Sequence, residues 1–250
     1  MSEMVSKILN QFDPITLAEM EGVKLMDRTD TKFTFNISYF ESVLLEAKKH
    51  YRVVEIEGNR ICRYKTLYFD TPDFSLYNQH HSGKLNRYKI RHRTYVESNI
   101  GFLEVKFKSN KGRTVKNRIK EIGIPNINSG KAYEFLSNIL PFDPSLLSPK
   151  LWINYSRITL VNKTSAERLT LDLYLEFQKD EEVQQLNQLV IAEVKRDSKT
   201  TSPFITILKN NHISQGSISK YCFGVASTFS EVKKNNFKLK LLNVNKIIKL

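Results

Sequence analysis

The sequence predicts an α+β protein: a mostly antiparallel β-sheet closing into a barrel, with helices flanking it. Three observations carry that reading. Long stretches alternate charged with apolar residues, the two-residue period of strands that have one polar and one apolar face. Turn chemistry separates those stretches, as in VESNIG at 96–101 and SNKG at 109–112. A few short segments instead place apolar residues at helical spacing.

Taken in order, the opening reads as one or two short helices, with Asp13–Pro14 as a cap and first turn leading into ITLAEM. Strands are expected at 27–35, 51–57, 62–69, 86–95, 101–108, 114–123, 152–161, 168–177 and 188–196. Asn36 is placed to cap a helix carrying Tyr39, Phe40, Val43, Leu44 and Ala47 on one side. Further helices are expected from about Lys131 to Leu140 and from Ser202–Pro203 to about Asn210. No linker, repeat or low-complexity tract interrupts the middle. One domain is therefore expected over residues 1–232, followed by a loosely attached basic tail at 233–250.

Among the 250 residues, 39 basic and 26 acidic side chains leave a net charge of +13. The excess is local. Residues 84–120 carry a net +10 and residues 233–250 a net +6, while the remainder is slightly acidic. Such a balance favours anionic partners: nucleic acid, anionic lipid or a phosphorylated small molecule. Two distant cysteines, Cys62 and Cys222, build no disulfide framework and match no metal spacing. No signal peptide and no stretch of about 18 apolar residues is visible, so a cytoplasmic location is expected.

Strand residues two apart share a face. In NRYKIRHRTY, Arg87, Lys89, Arg91 and Arg93 therefore point one way, and Tyr88, Ile90 and His92 the other. In FLEVKFK, Glu104, Lys106 and Lys108 align against Leu103, Val105 and Phe107. Lys116, Arg118 and Lys120 align in TVKNRIK, Arg28, Asp30 and Lys32 in RTDTK, Tyr155 and Arg157 in NYSR, and Glu193 and Lys195 in AEVK. Each face alone could be the solvent side of a half-exposed sheet. Together they exceed what surface strands, which mix charges, normally show. Lining a barrel interior a few side chains wide, they would suit a linear phosphate chain and exclude a duplex. Single-stranded nucleic acid calls for aromatics among the cations. Tyr88 and Phe107 fall on the opposite face, so no nucleic acid partner is expected.

The run TLYFDTPDFSLYNQHHSGKLNRYKIRHRTY, followed by FLEVKFKSNKGRTVKNRI, YSR, IAEVK and SKY, resembles the VTC domain, the polyphosphate polymerase domain of the CYTH-like triphosphate tunnel metalloenzymes. The resemblance covers roughly residues 13–227. It implies an eight-stranded antiparallel tunnel and a metal-dependent phosphotransferase that moves the γ-phosphate of ATP onto polyphosphate, with Mn²⁺ or Mg²⁺. It matches Lys32, Arg91, Arg93, Lys106, Lys116 and Arg157 to phosphate-contacting residues, and Tyr155, Ser219 and Lys220 to further contacts. Arg91, Arg93, Lys106 and Arg157 are the expected catalytic group. Arg28, Arg87, Lys89, Lys108 and Arg118 extend the phosphate-binding wall. Glu193 matches the metal-binding carboxylate, with Glu104 second.

The sequence departs from the family in two places. Related triphosphatases open with an E-x-E-x-K strand, whereas this chain reads Arg28-x-Asp30-x-Lys32; loss of the first acid argues for polymerase over hydrolase chemistry. Ser217 stands where polymerase members can carry a lysine. The membrane segments and phosphate-sensing domain of larger fungal assemblies are not seen, so a separate membrane protein would be the partner for moving a product across a bilayer.

Several assignments stay open on the residues alone. Glu193 could pair with Lys195, and Glu104 with its lysine neighbours, instead of holding metal. Asp172 and Glu176, on one expected strand face, are weaker metal candidates. His80–His81 reads as a loop pair without a third ligand, and Asp70 as the organiser of a turn with Thr71 and Pro72. A tunnel triphosphatase acting on inorganic or nucleoside triphosphate, and a non-catalytic polyanion binder, compete with the polymerase reading.

Overall fold

The computed structural model describes residues 2–21, 28–197, 200–216 and 218–250. Among the described residues there are eleven strands: β1 (Pro14–Ile15), β2 (Arg28–Asn36), β3 (Tyr51–Val54), β4 (Cys62–Asp70), β5 (Arg87–Tyr95), β6 (Ile100–Lys108), β7 (Thr114–Lys120), β8 (Ser148–Asn162), β9 (Glu167–Lys179), β10 (Glu182–Leu186) and β11 (Leu189–Asp197). The helices are α1 (Ser2–Leu9), α2 (Leu17–Glu21), α3 (Phe40–Ala47), α4 (Ser75–His81), α5 (Gly130–Ser137), α6 (Pro203–Asn210), α7 (Lys220–Thr228) and α8 (Lys238–Ile248). None is long and apolar enough to cross a membrane among the described residues.

Eight strands form one hydrogen-bonded path, β2–β11–β9–β8–β4–β5–β6–β7, and every pairing along it is antiparallel. The expected α+β class, an antiparallel sheet with flanking helices, is therefore what forms. Closure differs in detail from a laddered barrel. No ladder joins β2 to β7 among the described residues; the segment preceding α7 lies along β2 instead. There Phe33 bridges Gln215, and Gly216 N donates to Lys32 O at 2.9 Å. β7, at the other edge, is exposed on both faces and rich in cations, which discourages pairing with another chain.

Two apolar clusters cover the outer face. One packs α1, α3 and α6 on β2, β8, β9 and β11 through residues such as Leu9, Phe33, Val43, Leu44, Leu171 and Phe204. The other seats α5 on β4, β5 and β6 through Leu67, Ile90, Leu103 and Leu136. A third cluster lies on the inner face at one end, where Tyr68, Leu151, Phe177 and Leu189 meet α4, α7 and α8. A methyl group on Gly224 would come within 2.6 Å of Leu151 and Phe177, so α7 lies almost directly on the sheet there.

Local signals explain most ends. Asn36 Oδ1 accepts from Ser38 N and starts the single 3₁₀ turn that leads into α3; Ser202 Oγ accepts from Ile205 N at the start of α6. Asp13–Pro14 is not the cap that its sequence suggests. Asp13 O accepts from Val53 N and Pro14–Ile15 pairs with β3, while Thr16 and Glu19 close a reciprocal capping box on α2. His80 and His81 close α4 rather than sit in a loop. The lysine-rich C-terminal segment is not loose: it forms α8, with Phe237 and Val244 buried and Asn36 Nδ2 donating to Ile247 O at 2.7 Å.

Candidate phosphate-binding tunnel

The strand register gathers the predicted charged faces onto the inner face of the curled sheet. Across β5, Arg93, Arg91, Lys89 and Arg87 stand opposite Phe102, Glu104, Lys106 and Lys108 of β6; Glu104 and Lys106 in turn oppose Arg118 and Lys116 of β7. At the other side of the sheet Glu193 opposes Lys32, and Arg157 of β8 opposes Asp172 of β9. Curvature brings the ends together: burial first lowers the pKa values of Lys89 and Lys106, and Lys32 of β2 lies close enough to lower both further.

Opposite charges hold part of this wall. Arg91 Nε donates to Glu104 Oε2 at 2.6 Å, and Arg91 also donates to the Tyr68 hydroxyl at 3.3 Å. Arg157 makes a two-pronged contact with Asp172 at 2.6 and 2.8 Å, and Lys220 reaches the same carboxylate. Glu193 pairs with Lys195 at 3.0 Å. Burial raises the Glu193 pKa, but Lys195 and Lys32 more than reverse that and hold it at about 2. Glu104 is likewise held below its ordinary value, against burial, by Arg91 and Arg93. Both carboxylates are ionised at neutral pH.

Other cations face their own kind. Arg87 is directly opposite Lys108, Lys89 opposite Lys106, and Lys106 opposite Lys116. Burial, then Lys89, Lys116, Lys32 and Arg91, push Lys106 down to about 8. Its side chain nonetheless stays open to solvent, so the repulsion is what a bound anion would relieve. Lys89 donates to Ser219 Oγ at 2.9 Å, which ties the start of α7 to the wall.

β4 contributes residues that the charge pattern did not single out. Tyr64, Thr66 and Tyr68 share the inner face with Arg91 and Arg93. The Tyr64 and Tyr155 rings stack at 5.1 Å; Arg93 and Arg157 lie over Tyr64 and Lys220 over Tyr155. Burial raises the Tyr68 pKa, yet Arg91 and Arg93 bring it below its ordinary value overall. The alternation Y-x-T-x-Y-x-D in RYKTLYFD was the available signal. Aromatics do therefore stand among the cations, but Tyr64, Tyr68 and Tyr155 are buried and already stacked, leaving no open face for a base. Tyr88 and Phe107 pack against each other with ring centroids 4.6 Å apart and planes tilted by 32°, in register with each other and out of phase with the cations.

Not all expected residues converge. Asp172 and Glu176 do not share a face. Tyr174 and Leu175 form a bulge opposite Tyr155, with Tyr174 at φ 53°, and this turns Glu176 outward to Asn154 and Gln185. Lys116 and Arg118 stand exposed near the seam, with Arg118 over the Phe102 ring. Arg28 opens β2, and its side chain lies outside the described residues, as does Ser217. Asp70 accepts from Thr71 N, Leu76 N, Tyr77 N and the Tyr221 hydroxyl, so it organises the turn into α4 and also anchors α7.

The inner carboxylates fit a divalent cation that arrives with its phosphates better than a site made of protein alone. No group of three or more His, Cys, Asp or Glu is placed to hold a metal among the described residues. Mg²⁺ needs only one or two carboxylates when substrate phosphates complete its shell.

A curled eight-stranded antiparallel sheet with a cationic inner face and a few ionised acids defines a protein of the triphosphate-tunnel class. The VTC domain profile matches residues 27–229, and the chain belongs to that family. Two solved structures share the fold. A Bacillus halodurans protein named as a candidate adenylate cyclase is 18% identical, with a TM-score of 0.50, covering 82% of this chain and 100% of its own. A Hippeastrum candidate adenylyl cyclase, described as having dominant triphosphatase activity, is 14% identical, with a TM-score of 0.50, covering 82% and 98%. Among curated proteins, none matches the chain in sequence.

Proposed function

We propose that this chain is a polyphosphate polymerase-like phosphotransferase that moves the γ-phosphate of ATP onto a growing polyphosphate. A terminal phosphate oxygen of the chain bonds to the γ-phosphorus, the bond to the β–γ bridging oxygen breaks, and ADP leaves with that electron pair. The carrying observation is the row of like charges from Arg93 to Arg87, with Lys106 and Lys108 directly beside it and Lys116 beside Lys106. Like charges opposite one another in a sheet are unfavourable, and the six steps of strand from Arg87 to Arg93 extend about 20 Å. That row is longer than three linked phosphates require.

In this reading Arg91, Arg93, Lys106 and Arg157 surround the transferred group, and Lys32, Arg87, Lys89, Lys108, Lys116, Arg118, Tyr155, Ser219 and Lys220 hold the remainder, with Arg28 extending the wall. Phosphoryl transfer depends on such positioning and charge neutralisation. Glu193 would hold the Mn²⁺ or Mg²⁺ that neutralises phosphate charge, with Glu104 as the second acid. The fixed pairs Arg157–Asp172 and Arg91–Glu104 keep the guanidinium groups oriented before substrate arrives. This reading places the chain in the cytoplasm, where ATP is plentiful and the thiols of Cys62 and Cys222 would stay reduced.

Hydrolysis of a triphosphate is the second reading, favoured by α7, which fills one end of the inner face and shortens the space for a long chain. Incubation with ATP and Mn²⁺, with sizing of polymer on a gel, separates the two. Polymer with ADP is expected; phosphate without polymer would replace the proposal with a triphosphatase, and neither product with a polyanion binder.

A further inference from the structure

Thr170 lies on the inner face of the sheet beside Glu193. It stands two residues before Asp172 on β9 and so shares its face, while Leu169 and Leu171 enter the outer apolar cluster. The register fixes its neighbours. Glu193 of β11 is directly opposite on one side and Thr159 of β8 on the other, and Glu193 has Lys32 of β2 on its far side. Directly opposed side chains leave their Cβ atoms about 4.5–5.5 Å apart. A threonine hydroxyl is carried on Cβ itself, so this one stands within reach of the Glu193 carboxylate.

Thr170 is only 6% exposed, and its Oγ1 is buried with no hydrogen-bond partner among the described residues. A buried hydroxyl left unsatisfied costs stability, so its place beside an ionised acid calls for a reason. Glu193 itself is engaged elsewhere: Lys195, two residues on along the same face, takes Oε2 at 3.0 Å. An ammonium and a divalent cation repel each other, so one carboxylate serves both poorly. Lys195 has a second acid, Asp30, directly opposite it on β2. Thr170 is a neutral donor, and a hydroxyl can share a carboxylate with a metal ion without repelling it.

We infer that Thr170 is a positioning residue, whose hydroxyl donates to Glu193 when that carboxylate turns from Lys195 to a divalent cation carried in by condensed phosphate. One carboxylate oxygen then faces the cation while β9 holds the other. Ligating carboxylates are ordinarily fixed by such a hydrogen bond, and losing it costs about tenfold to a hundredfold in metal affinity. This rests on the metal role of Glu193 proposed above.

Calorimetric titration of the full chain with tripolyphosphate, with and without Mn²⁺, tests this together with melts of the metal-free protein. Thr170→Val keeps the shape and removes the hydroxyl. It should weaken binding of the Mn²⁺ complex by about tenfold and leave metal-free tripolyphosphate binding unchanged. It should also melt no lower than the wild type, because the metal-free fold loses no hydrogen bond. Thr170→Ser, which retains the hydroxyl, should recover most of the lost affinity. Unchanged binding of the Mn²⁺ complex by Thr170→Val overturns the inference. So does an equal loss with and without Mn²⁺, or a lower melting temperature, either of which would mark a structural role. Glu193→Gln separates the two levels: if it weakens only the Mn²⁺ complex, the metal reading stands whatever Thr170 does. If it leaves that complex unweakened, the metal lies elsewhere and the role of Thr170 falls with it.

Discussion

Lys89 and Lys106 stand directly opposite each other on the β5–β6 ladder, two ammonium groups where an antiparallel pair ordinarily places opposite charges. Lys116 faces Lys106 from the next strand, and Lys32 approaches across the lumen. The fold tolerates this repulsion because Lys106 reaches solvent, and a polyanion bound there would convert it into attraction.

That arrangement makes binding pH-dependent in a defined direction. Lys106, lowered to about 8 from 10.5, loses its proton in the folded chain before it would in the unfolded one. Between about 8 and 10.5 the unfolded state binds more protons, so this group makes folding more favourable as pH rises through that window. Anion binding has the opposite trend, because it needs the charged form. Tripolyphosphate affinity should fall from pH 7 to pH 9.5 with proton uptake on binding. The part absent in Lys106→Gln, measured by titration in buffers of different ionisation enthalpy, belongs to this side chain; identical profiles for both proteins would remove Lys106 from the site.

Ordered contacts and diffuse charge predict different mutant patterns. Arg91→Ala or Arg93→Ala should weaken triphosphate binding by roughly tenfold to a hundredfold, since a hydrogen bond to a charged group contributes about 1.5–3 kcal/mol. Arg113→Ala, at an exposed turn, should cost far less. Equal losses at the three positions would show that net charge alone drives binding.

Glu193→Gln keeps the shape and removes the charge. Turnover with Mn²⁺ should be abolished while the thermal melt at neutral pH stays cooperative and triphosphate still binds through the basic wall. The same variant reads out stability. Because the wild-type pKa is held at about 2 against an ordinary 4.5, the stabilisation is complete above about 4.5 and is lost as pH falls toward 2. Melts of the variant should be flatter over that acid window. Full metal-dependent turnover in the variant would transfer the metal role to Glu104.

Asp70 is wholly buried and accepts from three backbone amides and the Tyr221 hydroxyl. Asp70→Ala would strand those donors, at about 1–3 kcal/mol for each left unsatisfied. The midpoint of chemical denaturation should drop sharply, and a neutral midpoint would mean that α4 and α7 are held by packing alone.

Much of this protein was legible from local periodicity. A strand's two-residue period placed Arg87, Lys89, Arg91 and Arg93 on one face and Ile90 on the other, and cap chemistry located the ends near Asn36 and Ser202. Those signals are short-range, so they survive without knowledge of neighbours. Only the tertiary structure decided the rest. The bulge at Tyr174 turned Glu176 away from Asp172, because register depends on the opposing strand. α7, which contains Gly224 and weak helix formers, is held by packing on Leu151 and Phe177 and by the Lys220–Asp172 pair. α8, which reads as a lysine tail, is fixed by Phe237 and by bonds to α4 and β2, contacts more than 150 residues away in sequence. Alternation along a strand determines which side chains share a face; which faces meet, and how close two like charges come, depends on how the sheet curls.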